Sequence, residues 1–233
     1  MNNYIGIDIS INSSAIYILS NKGEKILSFT NKKDNNIYIK ELEKCGVKMF
    51  YQNRLNSEDY SASEILKIKH YMKLSEQVFS EIVKQIDLNE KTYCQIEGYS
   101  FSKKTSSILD IVSLSTLIRS KIVDRIKNLE IFIISPNSLK LESCKLTYKP
   151  IDIGKKRPKL KYINNQGISG GSFKKPQMFR AMIEGNFKTQ ISTMLKNYEH
   201  LMERDKIPNP IEDIIDSIFA CLILKNKIEN DIK

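Results

Sequence analysis

Cysteine and histidine are scarce in this chain of 233 residues, and the scarcity closes off several functions. Four cysteines stand at positions 45, 94, 144 and 221, and the two histidines are His70 and His200. No cysteine lies at a metal-ligand spacing from another, so a zinc site is not expected and the thiols read as isolated and reduced. Long apolar runs are missing too: none reaches the roughly 20 residues that a membrane-spanning helix needs. The opening Met1-Asn2-Asn3-Tyr4 has no basic start, and the apolar segment after it is interrupted by Asp8, which is not the make-up of a secretory signal. The expectation is an intracellular protein, cytoplasmic or associated with nucleic acid.

What is present suits a single core. The chain is 41% hydrophobic, and its length fits one domain, residues 1–233, with an insertion. Lysine and arginine number 37 against 27 acids, a net charge of +10 that points to a polyanionic partner. The chain is also rich in Asn, Lys and Ile, a bias that an AT-rich genome produces without any function. Charge alone therefore does not decide the matter.

Residues 4–9, Tyr-Ile-Gly-Ile-Asp-Ile, read as a strand, 15–19 as a second and about 25–30 as a third, with Asn21-Lys22-Gly23 as the hairpin turn between the last two. Residues 31–59 are polar and ambiguous. From Ser61 the period becomes helical, with Ile65, Ile68, Met72, Phe79, Ile82, Val83 and Ile86 recurring; Ser61 and Glu64 are spaced as a capping box. A strand at 93–97, a helix at about 105–127 and a strand at 131–134 follow. Three antiparallel strands, then helix, strand, helix, strand, predict an α/β domain on a mixed five-stranded sheet, with parallel additions and helices on its faces. Residues 141–173 hold Lys145, Lys149, Lys155, Lys156, Arg157, Lys159 and Lys161 among prolines and glycines, and read as a long basic loop insertion. Helical signal returns at about 176–205 and again at 210–228, where Pro210 suits a first turn.

The chemistry lies in acids set in apolar elements. Asp8 sits between Ile7 and Ile9, Glu97 follows Ile96 at a strand end, and Asp213 and Asp216 lie three apart on the last helix, on roughly one face. Singly, each has a plain explanation: a turn or edge residue for Asp8 and Glu97, a solvated helix start for the other two. Buried acids are costly unless paired, hydrogen-bonded or bound to metal. If the three segments converge, they make an all-oxygen site of the kind Mg²⁺ takes.

In order along the chain, these segments resemble the RuvC-type Holliday junction resolvases of the RNase H-like superfamily, in a phage or viral form. Ile5-Gly6-Ile7-Asp8 resembles the family's first-strand Gly-x-Asp motif. Gln95-Ile96-Glu97-Gly98-Tyr99-Ser100-Phe101 is similar to its strand-end glutamate followed by aromatics, and Asp213-Ile214-Ile215-Asp216 to its final Asp-x-x-Asp. Ser135-Pro136 with Lys140, and Gly170-Gly171-Ser172-Phe173-Lys174-Lys175 before a helix, complete the likeness.

The resemblance implies an RNase H-like sheet and a homodimer whose sites each nick one strand of a four-way DNA junction, leaving 5′-phosphate and 3′-hydroxyl ends. It implies two Mg²⁺ ions, replaceable by Mn²⁺, held by Asp8, Glu97, Asp213 and Asp216, with Glu212 competing with Asp213 as a ligand. Tyr99 or Phe101 would stack on a base at the junction, or else pack in the core. Lys140, Lys174 and Lys175 would contact phosphates or offset charge, and Lys155, Lys156 and Arg157 would bind DNA. The 105–127 helix would join the dimer interface or simply pack on the sheet. Three other readings stand beside this one. They are a nuclease for branched DNA or RNA–DNA hybrids, a non-catalytic junction binder, and an actin-like ATPase; the last lacks its glycine-rich hairpin after Asp8.

Overall fold

The computed structural model describes residues 1–32, 36–53, 57–99, 105–154, 159–204 and 206–231. Strands β1 (Asn3–Asp8), β2 (Ser13–Ser20) and β3 (Gly23–Thr30) form the antiparallel meander. Helix α1 (Ile37–Lys44), strand β4 (Lys48–Tyr51) and helix α2 (Tyr60–Gln85) follow, then β5 (Thr92–Glu97), α3 (Thr105–Arg125) and β6 (Leu129–Ile134). The sheet runs β4-β3-β2-β1-β5-β6, with β5 parallel to β1, β6 parallel to β5 and β4 parallel to β3. This is the mixed α/β sheet expected, three antiparallel strands with parallel additions, with one strand more than the five predicted.

The additional strand comes from the ambiguous 31–59 segment. Its four residues carry little alternation, and what holds them is tertiary. Phe50 stacks on Phe29 with ring centroids 4.5 Å apart, and Lys48 donates 2.7 Å to the buried Glu81 of α2. The cap of α2 also differs from expectation. Asp59, not Ser61, accepts from the Ala62 N–H at 2.7 Å, and Glu64 turns to Lys67 instead of closing a capping box.

Period-two alternation assigns each strand residue to a layer. Ile5, Ile7, Ile16, Ile18, Cys94 and Ile96 face α2 and α3. Tyr4, Ala15, Tyr17 and Tyr93 face the other layer, built from α4 (Pro136–Thr147), α5 (Lys175–Glu184), α6 (Ser192–Asn197) and α7 (Ile211–Asp231). Helix α7 is the centre of that layer and packs on β1, β2 and β5. Gly6 makes the approach feasible, because a Cβ there would come within 2.0 Å of the Ser217 carbonyl oxygen. From β5, the buried Gln95 donates 2.9 Å to the Ala220 carbonyl and pins the same helix.

Two further expectations need correction. The basic segment is not one long loop. Its first residues belong to α4, and β7 (Pro150–Asp152) and β8 (Leu160–Tyr162) then form an antiparallel hairpin, with a 3-10 turn at Gly170–Ser172. Gly170 is pressed against α4, where a Cβ would meet that of Cys144 at 2.5 Å. The helix predicted at 176–205 is broken after Glu184, where Gly185 caps α5 and Asn186 adopts φ 50°. All four cysteines are unpaired, and no helix among the described residues is long and apolar enough to cross a membrane.

Candidate active site

Parallel pairing of β1 and β5 ends at Ile7 opposite Ile96. One residue further along each strand, Asp8 and Glu97 emerge side by side on the α7 face at the carboxyl ends of the strands. That is the edge of an α/β sheet where ligands bind. Helix α7 crosses this edge and brings Asp216 into the same place. Single carboxylate oxygens of Asp8, Glu97 and Asp216 all lie within 4.8 Å of one another. Asp8 and Asp216 are buried and Glu97 is half-buried. Asp213 lies one turn earlier on α7. It is also buried, and it falls outside that mutual 4.8 Å set.

Lys175, the first residue of α5, sits among the acids. Its Nζ donates 2.6 Å to Asp216 Oδ2 and pairs with Glu212 Oε1 at 2.7 Å. This separates the two acids that the sequence left in competition. Glu212 is held by Lys175, whereas Asp213 Oδ2 is buried with no hydrogen-bond partner among the described residues.

The electrostatics follow from crowding. Burial first, and the Asp216 charge second, push Asp8 up to about 7, against the pull of Lys175. Burial and the Asp8 and Asp216 charges hold Glu97 well above the usual carboxylate range. Burial and the Asp8 charge do the same for Asp213. Burial by itself would lower the Lys175 ammonium, but Asp216, Glu212 and Asp8 outweigh it and hold its pKa above the ordinary lysine value. One buried ammonium does not neutralise five carboxylates. The remaining charge is relieved by protons or by a bound cation.

The residues fit a hard divalent cation. The donor set is all oxygen, which suits Mg²⁺ or Mn²⁺ and not zinc. The unpartnered, buried Asp213 Oδ2 is an acceptor in want of a positive partner. Asp8, Glu97 and Asp216 could therefore hold a metal ion.

A testable consequence concerns pH. Asp8 titrates at about 7 in the folded, metal-free protein against an ordinary 3.8, so the native state holds this proton more tightly than the unfolded chain. Its stabilising contribution is full below about pH 4 and is lost as pH rises through 7. In EDTA, melting temperature is expected to fall between pH 5 and 7.5, with Asp8 supplying roughly 2 kcal/mol of the change. Added Mg²⁺ should raise it much more at pH 7.5 than at pH 5. Equal metal-induced shifts at the two pH values would contradict the coupling of these protons to a cation site.

A cleft of about 320 Å³ opens over the acids, and Tyr99, Lys140 and Lys175 also line it. One face of the Tyr99 ring is taken by Arg119 of α3, whose guanidinium lies 4.8 Å from the ring centroid. Arg119 also donates to Tyr99 Oη at 3.2 Å and to the Glu97 carbonyl at 3.3 Å, tying down the end of β5. Arg119 was missed from sequence; a cation one position after the buried Ile118 is its one signal there. Lys174 is exposed outside the cleft. Phe101, Lys155, Lys156 and Arg157 lie outside the described residues.

No protein-family model matches the chain, and no curated protein matches it in sequence. The chain superposes on solved structures at low identity. Thermus thermophilus RuvC in complex with a Holliday junction substrate superposes with TM-score 0.40 at 7% identity, covering 99% of this chain and 96% of that one. The yeast mitochondrial Holliday junction resolvase Ydc2 gives 0.49 at 12% identity, covering 97% and 80%. A second Thermus thermophilus RuvC structure gives 0.39 at 8% identity, covering 97% and 96%. The class of the molecule is a mixed α/β sheet flanked by helices, with an acidic triad at the carboxyl edge of the sheet that could hold a metal ion.

Proposed function

We propose that this chain is a single-domain, metal-dependent endonuclease that cuts four-way DNA junctions by paired nicks. The observation that carries the reading is the convergence of Asp8, Glu97 and Asp216 within 4.8 Å at the carboxyl edge of the sheet. The orphaned Asp213 oxygen beside them supports a second ligand position. Asp8, Glu97, Asp213 and Asp216 hold two Mg²⁺ ions in this proposal. Bound there, such ions would supply an activated water and stabilise the charge that develops in phosphodiester hydrolysis.

The chain's own residues do the rest. Arg119 anchors the strand end that carries Glu97. Lys175 holds Asp216 and Glu212 in place and lowers the negative charge that an incoming phosphate meets. Lys140 and Tyr99 line the approach, as a phosphate contact and as an apolar surface for sugar or base. The exposed Lys174 adds charge beyond the cleft. A dimer through α2 and α3 is supported by the apolar side chains they leave in solvent, Ile65, Ile68 and Met72 on one helix and Leu109 and Val123 on the other.

The test is cleavage of a labelled mobile four-way junction beside linear duplex, forked DNA and an RNA–DNA hybrid, with and without Mg²⁺. Paired symmetric nicks in the junction alone, requiring metal and leaving 5′-phosphates, are the expected result. Cutting of forks or hybrids at equal rate would replace junction specificity with a broader substrate. Tight junction binding with no cutting would make the protein a binder only.

A further inference from the structure

A second cavity, of about 480 Å³, lies away from the acids, between the end of β4 and the middle of α2. Tyr51 and Gln52 line it from the end of the strand, and Lys69, His70, Lys73 and Gln77 from the helix; among the described residues no carboxylate lines it. Lys69 and Lys73 are one helical turn apart, so their ammonium groups share one side of α2. Both are exposed, and neither has a salt-bridge partner among the described residues, although acids pair with other lysines of the same helix, at Lys67 and Lys84. Polar amides complete the wall, with Gln52 donating 3.0 Å to Gln77 across it. Glu43 of α1, outside the lining, accepts from the Tyr51 hydroxyl at 2.8 Å. Two unneutralised cations with amide donors in a concave site suit an oxyanion.

The topology says where that anion would sit relative to the triad. β4 is parallel to β3, β3 antiparallel to β2, and β2 antiparallel to β1. β4 therefore points the same way as β1, and Tyr51 ends it at the same sheet edge as Asp8. Three strand spacings separate β4 from β1 in the sheet order, roughly 14 Å within the sheet, with the cavity on the α2 face and the triad on the α7 face.

We infer that the Lys69–Lys73 cavity is a second anchor for the phosphodiester backbone, gripping the DNA on the α2 side of the sheet edge whose α7 side carries the acidic triad. The inference rests on the nuclease reading only for its choice of nucleic acid as the source of the phosphate. It assigns a binding role to the α1–β4 segment, whose strand supplies one wall.

The test uses the full chain with Lys69→Ala and Lys73→Ala combined, and fluorescence anisotropy of a labelled four-way junction in EDTA through a salt titration. Loss of two phosphate contacts lowers the slope of log affinity against log salt by about 2, and affinity by about fivefold to tenfold at moderate salt. The Lys69→Arg, Lys73→Arg protein should restore both. An unchanged slope with affinity within twofold of wild type overturns the inference. So does a second result: inorganic phosphate or AMP binding that is lost in the alanine variant while the DNA slope stays the same, which would make the cavity a site for free phosphate. Hydrolysis of bis(p-nitrophenyl) phosphate by the wild-type protein with Mn²⁺ reports on the acidic cleft by itself. If that hydrolysis is absent while the slope still drops by about 2, the nuclease reading fails and the anchor stands.

Discussion

Asp8→Asn is expected to abolish metal-dependent strand cutting while leaving junction binding within a few-fold of wild type. The substitution keeps the volume and one carbonyl oxygen of Asp8 but removes its charge from the centre of the triad, where carboxylate oxygens lie within 4.8 Å. A cation there would lose one of the carboxylate ligands that could hold it. The expected loss in single-turnover cleavage is at least roughly 10³-fold, or about 4 kcal/mol of transition-state stabilisation. Binding survives because phosphates are held by cations outside the triad. In EDTA at pH 7.5 the same variant should melt higher than wild type, since the ionised Asp8 is destabilised by burial and by Asp216. Cleavage at the wild-type rate would remove Asp8 from the site. Normal cleavage loss without the rise in melting temperature would retain the site and reject the account of its electrostatics.

Gly6→Ala has the largest expected effect on the fold. The added methyl would stand 2.0 Å from the Ser217 carbonyl oxygen and 2.5 Å from the Cys221 nitrogen, both backbone atoms of α7. Backbone in the interior of a packed helix cannot give way as a flexible side chain does, so α7 must move off β1 as a unit. The cost in urea unfolding is expected to be about 3 kcal/mol or more. Variants that still fold should lose Mg²⁺ stabilisation as well, because Asp213 and Asp216 travel with the helix. A comparison variant at Gly171, where a Cβ would meet nothing within 4 Å, should cost little. A Gly6→Ala protein as stable as wild type, with intact metal binding, would refute the close packing of β1 and α7.

Much of the acidic site was legible because its residues break local rules. An aspartate inside Ile5-Gly6-Ile7-Asp8-Ile9 and a glutamate closing Tyr93–Ile96 have no reason to interrupt buried strands unless something there requires charge. The spacing of Asp213 and Asp216 showed a shared helical face. Less visible was which acid faces which partner. Lys175 sits next to Lys174 in sequence, yet one is enclosed by carboxylates and the other is in solvent. Glu212 and Asp213 are neighbours, and only the second is buried with an unpartnered oxygen. Arg119, the α1–β4 segment and the cavity it walls gave almost no local signal, because their partners are distant in the chain.

By itself, the order and period of the residues determined the α/β class, the meander, the two long crossover helices and the three acidic segments, because alternation and helical spacing are local consequences of burying one face. Tertiary structure alone decided that β4 joins the sheet, that the basic segment folds as a helix and a hairpin, and that Asp8, Glu97 and Asp216 meet while Asp213 stands slightly apart. Those outcomes depend on contacts between residues tens to hundreds of positions apart, such as Phe50 on Phe29, Lys48 with Glu81 and Gly6 under Ser217. Local propensity carries no information about which distant surfaces fit together; packing at crystal-like density does.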